Sequence, residues 1–154
     1  MLPSQGGDAS SILVSRSEGL SRLTRSATQR FMYHGIILDA EFKDPLFPEG
    51  FKVFAKKKSS TSSWILYGIE VNDKDVNEVI SDIQDNIKSN EPYYAHLYND
   101  EEVIVIFKKR VFHVKSHNST WMPIIEFGRT LNIPDEQLDF WPNRIQDEVH
   151  YFKS

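Results

Sequence analysis

Apolar side chains along this chain follow two rhythms, one of period two and one of three to four. Tyr33–Phe42 (YHGIILDAEF) is rich in β-branched and aromatic residues and predicts a strand. Pro45, Pro48 and Gly50 mark Lys43–Gly50 as a loop. In Phe51–Lys57, Phe51, Val53 and Ala55 alternate against Lys52, Phe54 and Lys56, a strand pattern. A serine-rich connection, Lys58–Ser63, leads into a strongly apolar strand, Trp64–Val71. The period then changes. Val76, Val79, Ile80, Ile83 and Ile87 recur at three and four, so Asn72–Asn90 predicts an amphipathic helix, capped by Asn72 or Asp73 and stopped by Pro92.

A second strand cluster follows at Tyr93–Tyr98, Glu102–Lys108 and Arg110–Lys115, with Asn99-Asp100 as a tight hairpin lacking the usual glycine. Val103–Phe107 (VIVIF) is apolar at every position, the mark of a central strand covered on both faces. Asn118, Ser119 or Thr120 can cap a second helix that has Pro123 in its first turn and ends near Asn132. Pro134 to Leu138 reads as a helical turn, Phe140-Trp141-Pro142 as a break, and Asn143–Ser154 as a polar, partly amphipathic tail. The order β-ββ-α-βββ-α, with short turns between consecutive strands, predicts an α+β class. Its simplest form is a mostly antiparallel sheet of four to six strands with two main helices on one face.

Residues 1–31 do not share this patterning. They hold seven of the sixteen serines, four arginines, no lysine and two acids, whereas all tryptophans and tyrosines lie beyond them. Three readings stand: an upstream start misassigned ahead of Met32, a disordered arm, or a cleaved targeting peptide of the arginine- and serine-rich kind. The first is favoured. A short helix from Ile12 through Leu23 is weak, because Gly19 and the serines oppose it. Residues 32–154 are then a single α+β domain.

Charge and composition narrow the chemistry. The whole chain carries −4, which divides into +2 for residues 1–31 and −6 for the rest. That acidity disfavours nucleic acid as a partner. No apolar run is long enough to span a membrane, so no membrane partner is expected. The absence of cysteine excludes disulfides, thiolate metal sites and a cysteine nucleophile, and no cofactor is expected. No phosphate-binding glycine loop, GxSxG or HExxH occurs.

Histidine is the remaining chemical candidate. A zinc site would need His96, His113 and His117 with Asp100 or Glu102, although His113 and His117 fall in a strand end and loop rather than on one helix face. Alternation places Tyr94, His96 and Tyr98 on one face of their strand. With the helices on the other side of the sheet, that face and His113 would form an exposed polar-aromatic binding surface. Two basic clusters, Lys56-Lys57-Lys58 and Lys108-Lys109-Arg110, would bind phosphates only if the fold brought them together. Among the acids, Glu126 reads as an exposed partner of Arg129.

The stretch YYAHLYNDEEVIVIFKKRVFHV, followed by STWMPIIEFGRTLNIPDEQLDFWP, resembles a group of small prokaryotic proteins to which no activity is assigned. The likeness rests on the Tyr93–Asp100 hairpin and the Trp121–Phe140 segment, with Leu97 in place of an aromatic. It implies an intact fold and a cytoplasmic setting, and it agrees with Met32 as the start. The leading expectation is a non-catalytic binding or regulatory module that takes a protein or small-molecule ligand through the Tyr94, His96 and Tyr98 face. Self-association through a strand edge at Tyr33–Phe42 or Phe51–Lys57 is the accompanying option. A metal-dependent or acid–base enzyme using His96 and His113 is the first alternative, and a nucleic-acid-binding domain the second.

Overall fold

The computed structural model describes residues 32–152. The three readings of residues 1–31, and the Ile12–Leu23 helix, lie outside the described residues. Six strands form one antiparallel sheet: β1 (Met32–Leu38), β2 (Lys52–Lys58), β3 (Ile65–Asn72), β4 (Tyr94–Tyr98), β5 (Glu102–Phe107) and β6 (Val111–Lys115). Their spatial order is β2-β3-β1-β4-β5-β6, with every neighbouring pair antiparallel. The α+β class and the antiparallel sheet of up to six strands are as the sequence predicts.

Helix α1 (Val76–Asn86) buries Ile80 and Ile83 against Ile37, Ile69, Leu97, Ile104 and Ile106 on one face of the sheet. Helix α2 (Met122–Thr130) buries Ile124 with Tyr98, Val103, Val105 and Phe107 on the other. The two main helices therefore sit on opposite faces, not on one. The cause is in β5: alternate residues point to opposite sides, and because all of Val103–Phe107 is apolar and buried, both sides need a cover.

Tertiary contacts also set where the first helix stops. Its stripe packs as expected, but the helix ends at Asn86 rather than Asn90, because Ile87 is extended and bridges Phe42. The Lys43 amide donates to the Asn86 carbonyl and the Lys88 amide to that of Glu41. No side-chain cap forms at Asn72 or Asp73, and a 3-10 turn occupies Asp73–Asp75. Asn118–Thr120 likewise form a 3-10 turn rather than a side-chain cap, with Pro123 in the first turn of α2 as expected. Arg129 forms a two-pronged ion pair with Asp135 instead of Glu126.

The segment after Leu138 is not a free tail. It crosses the α2 side of the sheet and ends in a single-turn helix, α3 (Glu148–Tyr151). Asp100, at φ 78° in the β4–β5 hairpin, accepts the Ile145 amide at 2.6 Å. Glu148 accepts hydrogen bonds from Tyr98 and from His34, the latter at 2.5 Å. The Lys57 ammonium donates to the Tyr151 carbonyl, and Phe152 rests where a side chain at Gly68 would be. Among the described residues, no helix is long and apolar enough to cross a membrane.

Candidate functional site

Where β1 ends and β3 and β4 begin, the sheet and the C-terminal segment leave a cavity of about 530 Å³ between them. Pockets that hold small molecules commonly measure ~300–1,000 Å³. Ile36 and Leu38 of β1, Leu66 of β3, and Tyr94 and His96 of β4 line it from the sheet. Ile133, Gln137, Asp139 and Trp141 line it from the segment that follows α2, and Tyr151 from α3. The sequence folds this wall sharply. Leu138 packs over Gly128, Phe140 is fully buried at φ 48°, and the Trp141–Pro142 peptide is cis. A non-glycine residue in the left-handed region is strained by about 1–3 kcal/mol, and burial of the Phe140 ring against Trp121 and Tyr94 holds it there.

Two titratable groups in this cavity are nearly inaccessible, His96 at 5 % and Glu41 at 4 % exposure. A carbonyl can only accept, so His96 Nε2 carries the proton it donates to Pro142 O at 2.8 Å. Nδ1 is left as the acceptor of the ring. Desolvation lowers the imidazole pKa to about 4, partly offset by that hydrogen bond and by Asp139. His96 is therefore neutral at pH 7. Glu41 lies in a 3-10 turn directly after β1, and its Oε1 accepts the Leu38 amide at 3.0 Å. Burial pushes this carboxyl well above the ordinary range, against the lowering effect of the Leu38 bond. Oε2 makes no hydrogen bond among the described residues. Tyr94 donates to the Gln137 carbonyl, and burial raises its phenol far above the usual value. The Tyr151 phenol is pushed up to about 12 by burial, with Asp139 and Glu41 adding to the rise.

The mouth is aromatic. Trp64 and Trp141 are 42 % and 41 % exposed, unusually open for tryptophan, and both line the cavity. The acids along it are Glu41, Glu91 and Asp139, and no lysine or arginine is among its lining residues.

The polar-aromatic face expected from alternation exists, but it is covered rather than exposed. Tyr94 and His96 reach the cavity, while Tyr98 is fully buried beneath α3 with its hydroxyl on Glu148. His113 does not join them. It pairs across from Ile104, on the α1 side of the sheet, whereas His96 pairs with Val105 on the α2 side. The sheet therefore separates His96 from His113, and they cannot hold one metal or serve one reacting group. His113 instead contacts Glu102 at 3.2 Å, and His117 the Ser119 hydroxyl at 2.8 Å. No cluster of three metal-ligating side chains occurs among the described residues.

The basic clusters are also kept apart. Lys56, Lys57 and Lys58 lie on the β2 edge, and Lys108, Lys109 and Arg110 in the β5–β6 turn across the sheet. Lys56 pairs with Glu49, Lys108 donates to the Gln84 carbonyl, and Arg110 stacks over Phe112. Of the strand edges considered for self-association, β1 is central between β3 and β4, which leaves β2 as the edge of that pair.

Glu41, Trp64, Glu91, Asp139, Trp141 and Tyr151 are among the cavity residues that sequence reasoning missed. Their separation in the chain gave no common signal, although the positions flanking Pro142 were legible as a break. Compared with known proteins, no family model, no curated protein and no solved structure matches this chain.

Proposed function

We propose that this protein is a small-molecule-binding module whose site is the cavity between β1, β4 and the C-terminal segment. The observation that carries this reading is a cavity of about 530 Å³ that combines an aromatic mouth with two buried, proton-poised side chains, Glu41 and His96. Binding sites of this kind pair largely apolar walls with a few convergent polar groups. A regulatory role follows naturally: a ligand seated there would touch β1, β4 and the C-terminal segment together. The cytoplasmic setting rests on the resemblance carried by Tyr93–Asp100 and Trp121–Phe140.

The test is a fragment screen on the full chain followed by amide chemical-shift changes. Binders should shift residues around Tyr94, His96, Trp64 and Trp141. Fragments that consistently perturb other surfaces and leave these four unmoved would overturn the reading.

A second reading, an acid–base enzyme, is favoured by one observation: a carboxyl whose pKa burial raises well above the ordinary range and a neutral imidazole line the same cavity. Such opposed shifts suit a general acid and a general base. In that case Glu41→Gln would abolish turnover of any substrate found by the screen. If it changes only affinity, the site binds and does not catalyse.

A further inference from the structure

Resting on the binding-module reading, we infer that the ligand is an organic ammonium cation, held between the tryptophans at the mouth and the carboxyl groups of Glu41, Glu91 and Asp139. The argument begins with the balance of charged groups. Three acids line the cavity and no lysine or arginine does. Lys57, which touches the lining residue Tyr151, is committed to the Tyr151 carbonyl at 2.9 Å and to the Tyr151 ring. An anionic ligand would meet carboxylates and have no counter-charge, so phosphates and carboxylic acids are disfavoured.

Aromatic lining supplies the second observation. Trp64 and Trp141 stand at the mouth, and neither is stacked on another aromatic ring of the described residues. Each leaves about two-fifths of its surface open at the cavity mouth. A cation over a tryptophan face is attracted by the ring quadrupole, and aromatic surroundings are the established way to hold alkylated ammonium groups. The third observation is Glu41 itself. It is buried, it lines the cavity, and its Oε2 has no hydrogen-bond partner among the described residues. An ammonium set against this carboxyl favours its ionised form, so binding releases the Glu41 proton to solvent and the ion pair compensates the charge that forms. A neutral sugar could stack on the tryptophans, but it would gain no charge attraction from Glu91 and Asp139. The size of the cavity exceeds that of one methylated ammonium, so an extended amine or a larger quaternary ion fits it better.

The experiment is titration of the full chain with spermidine, with choline, and with 3,3-dimethylbutanol, the uncharged isostere of choline. Heat and tryptophan fluorescence are both followed. One or both ammonium probes should bind at least about tenfold tighter than the isostere, a discrimination of roughly 1.4 kcal/mol. Tighter binding of spermidine assigns an extended polyamine, and tighter binding of choline a quaternary ion. Glu41→Gln replaces the carboxyl with an amide of the same shape that cannot ionise, so the fold is kept while ammonium affinity falls about tenfold. Trp141→Leu should weaken binding independently, which covers a Glu41 variant that folds poorly. Equal binding of the isostere, unchanged affinity in both variants, or no ammonium binding at millimolar concentration overturns the inference. If uncharged fragments nevertheless shift the cavity residues, only the ligand class fails and the binding-module reading stands. If no fragment shifts them, both fail.

Discussion

At His96, burial holds the imidazole neutral and moves its pKa to about 4, from an ordinary value near 6.5. The unfolded chain takes up this proton near pH 6.5 and the folded chain only near 4. The contribution to stability is therefore complete above 6.5 and is lost as pH falls towards 4. The shift corresponds to about 3 kcal/mol. Glu41 has the opposite sign. Its folded-state pKa is raised, so its contribution is complete below the unfolded value and is lost as pH rises through the folded one. Urea titrations from pH 4 to 8 should show His96→Gln flattening the acid limb, and Glu41→Gln gaining stability relative to wild type at the alkaline end. Parallel pH profiles for wild type and both variants would refute the assignment.

Close packing at single residues makes its own predictions. A Cβ at Gly35 would lie 2.4 Å from Leu97 Cδ2 and 3.1 Å from the His96 carbonyl, with backbone on one side and a fully buried side chain on the other. Neither can withdraw easily in a central strand, so Gly35→Ala should destabilise by about 1–3 kcal/mol in equilibrium unfolding. Tyr98→Phe removes the hydroxyl donated to Glu148 while His34 remains. Leaving that carboxylate short of one donor costs about 1–2 kcal/mol. The loss should show first as faster hydrogen exchange in α3 rather than in β5.

Among the elements, the C-terminal segment carries the most structural consequence for its length. Its anchors are Asp100 on the Ile145 amide, Tyr98 and His34 on Glu148, Lys57 on the Tyr151 carbonyl, and Phe152 over Gly68. Each anchor binds it to a different strand or hairpin. A chain ending at Asn143 would expose part of the α2-side core and remove Tyr151 from the cavity lining. Burial of Ile145, Tyr151 and Phe152 is worth on the order of 5 kcal/mol, comparable with the total stability of a small domain. The shortened chain should lose most of its urea midpoint and bind a hydrophobic dye. An unchanged midpoint would mean that the segment is an accessory rather than part of the fold.

Across the whole molecule, one sheet divides two cores and thereby decides which side chains can cooperate. His96 and Glu41 share a cavity, while His113 lies exposed on the α1 side of the sheet. The basic clusters stand at opposite edges, so no continuous positive surface forms among the described residues. Neutralising Lys56, Lys57 and Lys58 together should therefore leave retention of a single-stranded oligonucleotide at physiological salt unchanged and low. A steep salt dependence that disappears in this variant would show that the clusters do act on phosphate.

The sequence by itself determined the antiparallel strands, the stripe of Val76, Val79, Ile80 and Ile83 on the first helix, and the alternation of Tyr94, His96 and Tyr98 against Ala95 and Leu97. All of these follow from local periodicity, which one segment carries without help from any other. Even the split of the helices was latent in Val103–Phe107, whose unbroken apolar run needs cover on both faces. Only the tertiary structure decided where α1 stops, that the polar tail becomes a strap, and that Glu41, Trp64, His96, Trp141 and Tyr151 meet around one cavity. Those residues lie on separate elements, and their meeting depends on strand order and on the path of the chain after α2. Periodicity reports which face of an element is apolar. It does not report what will lie against that face.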